Sequence, residues 1–183
     1  KLGIRASSTT ELILDACEVP DENVLGPVGQ GYKIAIDTLN GGRVGIGAQM
    51  IVVARGALDA AIAYVKERQA FGKSIAEFQA IQFQLADLAT DLEAARMLMW
   101  KAADVREREP RASVEAAMSK LHASEAAHRA ADRAMQILAS AGYRRGSTVE
   151  RLFRGVRAAE IYQGTSEVQR MIIAESVCDA AKR

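Results

Sequence analysis

From Tyr32 onward, apolar positions recur at three- and four-residue steps. Ile36, Leu39, Ile46, Met50, Ala54, Leu58, Ile62 and Val65 fall on one stripe, with Arg43 among them. That spacing predicts a long amphipathic helix. A second stripe, Phe78, Ile81, Leu85, Leu88, Leu92, Ala95, Met99 and Ala102, predicts another. The charged run Arg106-Glu107-Arg108-Glu109-Pro110 ends it, because proline lacks an amide donor and disfavours helix just upstream. Ser113 is expected to cap a third helix, with a stripe of Met118, Leu121, Ser124, His128, Ala131, Met135 and Leu138 that stops near Ala141-Gly142. Ser124 and His128 weaken this stripe. Short helices are expected over residues 149–156 and 165–179.

Upstream of residue 29 the pattern changes. Glu11 to Pro20 reads as a strand, followed by turn chemistry at Asp21-Glu22-Asn23 and by the punctuation of Gly26-Pro27, Gly29 and Gly31. One or two strands do not make a stable sheet alone. Residues 1–28 are therefore expected to be the C-terminal end of a middle β domain lying upstream of Lys1, and residues 29–183 a helical bundle domain. Lys1 stands where an initiator methionine would be, so the chain is expected to be part of a longer one. The expected fold is all-α, an up-and-down four-helix bundle preceded by a β-domain remnant.

Composition narrows the function classes. The 183 residues include 24 Lys+Arg against 23 Asp+Glu, so no net field selects nucleic acid or an anionic membrane surface. No uninterrupted apolar run reaches bilayer length, and no signal-peptide pattern opens the chain. Cys17 and Cys178 are read as reduced structural thiols among core residues, in keeping with a cytoplasmic location, or the mitochondrial matrix in a eukaryote. Neither they nor His122 and His128 have metal-ligand spacing, so no metal site is expected. His128 reads as a core or boundary histidine.

A few residues break their local pattern. Arg43 lies on an apolar stripe, where it either meets a partner or ligand or packs its stem and snorkels its head to water. Gly41 and Gly42 weaken a helix interior, which fits a close approach by another group. Arg68, Phe71 and Gln79 flank the first interhelical turn. Thr165, Ser166 and Glu167 open the last helix with an N-cap and a first-turn acid. Just before them stands Ile161-Tyr162-Gln163-Gly164-Thr165-Ser166-Glu167-Val168-Gln169-Arg170.

This last block resembles the active-site signature of acyl-CoA dehydrogenases, except that glutamine replaces a glutamate at position 163. The resemblance extends in order through Lys1-Leu2-Gly3-Ile4-Arg5 and Ser7-Ser8-Thr9, Gly41-Gly42-Arg43, Glu67-Arg68-Gln69-Ala70-Phe71-Gly72, Phe78-Gln79-Ala80-Ile81-Gln82 and Gln136-Ile137-Leu138. It is nearest the short- and branched-chain members. It implies α,β-desaturation of acyl-CoA thioesters with FAD, a glutamate taking the α-proton while the β-hydrogen leaves as hydride.

For site residues it implies acyl-CoA contacts at Asn40, Gly41, Gly42, Arg43 and Gly164. FAD contacts fall at Arg68, Phe71, Gln79, Gln136 and Ser140, which serve a neighbouring subunit's flavin, and at Thr165 and Glu167. A homodimer or homotetramer and an acceptor such as electron-transfer flavoprotein are implied with it. Two departures stand out: Ala139-Ser140 replaces a glycine pair, and Arg154-Gly155 replaces Arg-Asp.

Position 163 carries the base in the family, and a carboxamide has the shape of a carboxylate without its basicity. Relatives that move the glutamate place it where this chain has Gly42. Glu160 and Glu167 are the nearest acids in sequence. The glutamine reads either as a deliberate substitution that traps ligand or as a degenerate subunit that completes a competent partner's site by binding FAD or acyl-CoA.

Overall fold

The computed structural model describes residues 1–109 and 111–180. It is a helical bundle built from α1 (Gly31–Glu67), α2 (Gln79–Arg108), α3 (Ser113–Leu138), the single turn α4 (Ser140–Tyr143), α5 (Thr148–Val156) and α6 (Ser166–Ala180). Between α1 and α2 lies a small antiparallel hairpin, β1 (Gln69–Ala70) with β2 (Lys73–Ser74), in which Gln69 pairs with Ser74 and Ala70 with Lys73. Pro110 lies outside the described residues; α2 stops at Arg108, and the Glu109 amide caps it on the Val105 carbonyl.

The stripes of α1 and α2 face the core as their spacing predicts, with Met50, Ala54, Leu58, Val65, Leu88, Leu92, Ala95 and Ala102 buried. The third stripe needs correction. Met118, Leu121, His128, Met135 and Leu138 are half-buried at its margin, and the true seam is Ala116, Ala117, Ala123, Ala126, Ala127, Ala130, Ala131 and Ala134. Alanine carries little apolar bulk, so a pattern weighted by side-chain size overlooks it. Its value here is steric, because alanine lets neighbouring backbones approach. α3 is accordingly the central helix, packed on α1 most extensively and also on α2, α5 and α6. The two helices are in tight contact at Gly47, where an added Cβ would lie 2.4 Å from Ser119 Oγ.

α1 is long and apolar enough, by length and composition alone, to cross a membrane, but its residues Met50, Ala54, Leu58 and Val65 are buried in the core of the bundle. The expected cap at Ser113 is also displaced: Ala112 holds the N-cap position, Ser113 is the first helical residue, and no side chain caps the end.

Residues 1–30 lie over the bundle, almost wholly exposed. The strand expected over residues 11–20 does not form, since no neighbouring strand is present to pair with it, and only a 3-10 turn, Asp21–Asn23, breaks the segment. Leu12, Ile13, Leu14, Leu25 and Val28 are exposed as a result. The segment is pinned near its start: Arg154 donates to the Leu2 carbonyl at 3.0 Å, and a Cβ on Gly3 would fall 2.6 Å from Gly155 Cα. This contact gives Gly155, one of the two departures, a packing role. Cys17 and Cys178 are both exposed, not core thiols, because one lies on this unpartnered segment and the other on the outer side of α6.

The Gly47 contact reverses the usual rule for glycine in helices. Gly45→Ala, at an exposed position with open space, is expected to stabilise the fold by about 0.5–1 kcal/mol. Gly47→Ala, two residues on, is expected to destabilise it by about 1–3 kcal/mol through overpacking against Ser119. Urea denaturation of the two variants checks both signs.

Candidate functional site

One end of the site is the turn between α5 and α6. A 3-10 segment, Arg157–Glu160, leads from α5 into residues 161–165, and successive tethers hold it. His128 on α3 contacts Glu160 Oε1 through Nδ1 at 2.8 Å, and Arg157 pairs with the other oxygen of that carboxylate. Burial first, and the Arg157 charge second, hold His128 below the ordinary imidazole range, so it serves as a neutral donor to Glu160. The Tyr162 hydroxyl donates to Gln49 Oε1 on α1 at 3.2 Å, and burial pushes its pKa up.

The turn then adopts two left-handed residues in succession, Gln163 at φ 52° and Gly164 at φ 90°. Positive φ in a non-glycine residue costs about 1–3 kcal/mol and persists only where the surroundings enforce it. They do so here. The Gly164 carbonyl accepts from Lys120 Nζ at 2.8 Å and from Gln169 Nε2 at 3.0 Å, and the Gln163 carbonyl lies 3.4 Å from both Arg43 Nε and Gln169 Nε2. A Cβ on Gly164 would strike Gln169 Nε2 at 2.7 Å, so position 164 admits only glycine.

Beneath this turn lie Asn40, Gly41, Gly42 and Arg43 of α1. A Cβ on Gly42 would lie 2.5 Å from Gln163 Oε1 and 2.8 Å from Nε2, so the carboxamide rests directly on the bare backbone there. Gln163 Oε1 is buried and has no hydrogen-bond partner among the described residues. Arg43 is buried and donates to Asn40 Oδ1 at 2.7 Å, which settles the open question about it: its head is engaged inside the fold. Burial lowers its pKa from the usual arginine value. Gly41 faces a further guanidinium, that of Arg106 at the end of α2, one nitrogen of which is buried and unpartnered.

Three cations, Arg43, Lys120 and Arg106, thus surround the Gln163–Gly42 contact, and among the described residues no carboxylate is hydrogen-bonded to Gln163. Glu160 is committed to His128 and Arg157. Glu167 is exposed in the first turn of α6, where its own backbone amide and the Thr165 hydroxyl hold its carboxyl below the usual range. Thr165 Oγ1 accepts from the Val168 amide at 3.5 Å as the N-cap, as its position predicts.

The other end lies at the turn after α1. From Gly42 to the end of α1 at Glu67 is about 38 Å at 1.5 Å per residue. Arg68 caps the helix there, exposed and without a carboxylate partner among the described residues. It lines a 530 Å³ cavity with Ser140, Ala139, Tyr64 and Ile137. Phe71 and Gly72 form the hairpin turn, both at positive φ, which leaves Phe71 95% exposed with its edge against Phe78 at 6.2 Å. A core role for Phe71 is excluded. Gln79 and Gln136 are exposed on the first turn of α2 and the last of α3. Ala139 stands at φ 51°, ψ −131°, a conformation suited to glycine, where this chain carries alanine.

The sequence-predicted residues therefore fall into two groups that one chain cannot bring together. Asn40, Gly41, Gly42, Arg43, Gln163, Gly164, Thr165 and Glu167 gather around the N-terminal third of α1; Arg68, Phe71, Gln79, Gln136 and Ser140 gather at its C-terminal end. Lys120, Arg106 and Gln169 were missed. Each had a signal: Lys120 stands four residues after Ala116 on the alanine seam of α3, and Arg106 four after Ala102 on the stripe of α2. Gln169 belongs to the signature block but was not assigned a role.

Fold and site together define an all-helical bundle domain of the kind that forms the C-terminal part of acyl-CoA dehydrogenases. The pattern described as "Acyl-CoA dehydrogenase, C-terminal domain" matches residues 29–178, and the chain belongs to the acyl-CoA dehydrogenase family. It is 49% identical over 174 residues to the mitochondrial short-chain specific acyl-CoA dehydrogenase of Rattus norvegicus, covering 95% of this chain and 42% of that protein. It is 46% identical over 173 residues to the caffeyl-CoA reductase-Etf complex subunit CarC of Acetobacterium woodii, covering 94% of this chain and 46% of that protein. The butyryl-CoA dehydrogenase structure from Megasphaera elsdenii superimposes with a TM-score of 0.93 at 42% identity, covering 97% of this chain and 46% of that one. The chain thus spans less than half the length of these relatives.

The strained backbone at Ala139 gives a direct test of the altered glycine pair. Ala139→Gly is expected to relieve it and stabilise the fold by about 1 kcal/mol, raising Tm by about 2–4 °C. A lower Tm in a thermal melt would refute the strain.

Proposed function

We propose that this chain is the helical part of an FAD-dependent acyl-CoA dehydrogenase that binds acyl-CoA thioesters but abstracts the α-proton poorly. The observation that carries this reading is the Gln163 carboxamide itself, lodged over Gly42 with a buried oxygen that has no partner among the described residues, while Glu160 is held by His128 and Arg157. A carboxamide fills the place of a carboxylate and hydrogen bonds like one, yet it cannot take a carbon-bound proton near neutral pH. Arg43 and Lys120 fix the backbone on which residue 163 is mounted. Gly41 and Gly42 let two side chains lie on the backbone of α1, the Arg106 guanidinium over Gly41 and the Gln163 carboxamide over Gly42, which places both groups where the thioester is proposed to bind.

The second group of residues fits the anionic part of a dinucleotide. Arg68 presents an unpaired planar guanidinium beside the Ser140 hydroxyl, a donor set suited to phosphate oxygens, and the exposed Phe71 ring offers a stacking face. When bound, FAD supplies the acceptor for the substrate β-hydride. Because α1 holds this group far from Gln163, the two ends serve sites in different copies of the chain, which implies at least a dimer. A relative named as an Etf-complex subunit supports electron-transfer flavoprotein as the acceptor.

A second reading rests on the same geometry: a degenerate subunit binds FAD or acyl-CoA and lends its Arg68 end to a competent partner. The two readings diverge in whether one substitution restores chemistry.

In the holoprotein, butyryl-CoA is expected to perturb the flavin absorption band yet bleach it on the order of hundreds of times more slowly than after Gln163→Glu, with similar affinity. Anaerobic stopped-flow absorbance follows both. Fast bleaching with Gln163 in place, and no gain from Gln163→Glu, would put the base elsewhere.

Arg68→Ala is expected to weaken FAD binding by at least about tenfold, equivalent to about 1.4 kcal/mol. Unaltered affinity in a fluorescence titration would remove Arg68 from the flavin site.

A further inference from the structure

Lys120 is fully buried at 0% exposure in the middle of an alanine seam, a position a lysine occupies only with its charge engaged. Among the described residues it makes no ion pair, and its hydrogen-bond partner is a backbone carbonyl. That carbonyl belongs to Gly164, the second of two left-handed residues whose peptide oxygens turn inward between α1, α3 and α6. No helix supplies donors to those oxygens. Lys120 and Gln169 supply them to Gly164, and Arg43 and Gln169, at longer range, to Gln163.

A methylene stem would have filled the same space without the penalty of burying an ammonium group. The amine therefore answers to the carbonyl and not to the packing. Resting on the reading that residue 163 faces the acyl-CoA α-carbon, we infer that Lys120 is a positioning residue for the desaturation site, anchoring the Gly164 carbonyl so that the residue-163 side chain is held over Gly42. It acts through the backbone and touches no substrate.

The groups facing Lys120 define how this anchor responds to pH. They are Arg43 on α1, Glu167 on α6 and Glu125 on its own helix. Burial, and then the Arg43 charge, bring the Lys120 pKa down from 10.5 to about 8, against the opposing pull of the two glutamates. Below about pH 8 the ammonium makes a charge-assisted bond to Gly164; above it the neutral amine holds the carbonyl less strongly.

Global stability moves the other way. The unfolded lysine stays protonated to about 10.5, so between about pH 8 and 10.5 the unfolded state binds more protons than the folded one. The Lys120 contribution to stability therefore rises with pH across that window. An anchor predicts a loosening turn in a tightening fold, and a packing role does not.

The test uses the holoprotein and three measurements. Hydrogen exchange by mass spectrometry, without substrate, compares wild type with Lys120→Met, which keeps the stem and loses the donor, and Lys120→Arg, which keeps a cation. Peptides covering residues 161–169 are expected to exchange at least about fivefold faster in Lys120→Met and near the wild-type rate in Lys120→Arg, with α1 peptides unchanged. Stopped-flow with butyryl-CoA in the Gln163→Glu background is expected to show flavin reduction slowed at least about tenfold by added Lys120→Met, with affinity changed less than about threefold. In wild type, protection of the turn, corrected for intrinsic rates, is expected to fall as pH rises through about 8.

Unchanged exchange at 161–169 in Lys120→Met, or faster exchange with reduction unaffected, overturns the assignment. If Lys120→Met does not fold, the wild-type pH series decides, and a flat profile overturns it. If Gln163→Glu alone does not restore reduction, the reading of the reaction fails, and the exchange measurements still decide whether Lys120 anchors the turn.

Discussion

The close approach of α1 to the alanine face of α3 is the contact on which the rest of the molecule depends. Gly47 against Ser119 leaves no room for a side chain on the α1 side, and the alanine run keeps that spacing along α3. Because the helices lie so near each other, Arg43 on one and Lys120 on the other reach the same turn from opposite sides. A bulkier seam would separate them, and the carbonyls of residues 163 and 164 would be left with Gln169 as their remaining side-chain donor. Interiors this dense do not deform gradually, so the spacing acts as a fixed dimension for the cleft.

Polar burial concentrates where function is proposed. Among the described residues Ser119, Ser166, Gln169 and Gln163 each keep a buried side-chain oxygen without a partner, as do one nitrogen of Arg106 and Nε2 of His122, and most of these belong to the α1–α3–α6 junction or the turn above it. Elsewhere the interior is alanine, leucine and valine with little conflict. An ordinary core would replace these groups with apolar ones, since an unmet buried polar atom costs about 1–3 kcal/mol. Backbone strain is spread more widely: Phe71, Ala139 and Gln163 hold positive φ near the proposed ligand contacts, and Ile4, Ala16 and Ala112 hold it away from them.

The helices were legible because their large apolar residues recur at helical spacing, and the ends of α5 and α6 fell within a residue of their capping signals. The core face of α3 was not, because alanine counts weakly in such a pattern although it sets the packing distance. Arg43 was visible as an anomaly, but its partner was not: Asn40 lies one turn away on the same helix, while the Gln163 carbonyl is brought in from 120 residues along the chain. Lys120 stood on a seam that was itself misplaced, so its burial could not be read. The exposed cysteines show the opposite limit. Cys17 looked like core because residues 1–30 carry the apolar alternation of a strand, and Cys178 because α6 is apolar around it, but burial depends on what a segment packs against.

The length of α1 carries a genetic consequence. With the cleft at one end and the Arg68 corner at the other, damage to either end of one chain leaves the opposite end intact. If sites form between copies, a chain deficient at residue 163 and a chain deficient at residue 68 can assemble one whole site from their undamaged ends, so two inactive alleles would complement when expressed together. Two alleles damaged at the same end would not. A subunit bearing glutamine at 163 can therefore persist beside a competent sister without being inert, because half of what it carries belongs to its neighbour.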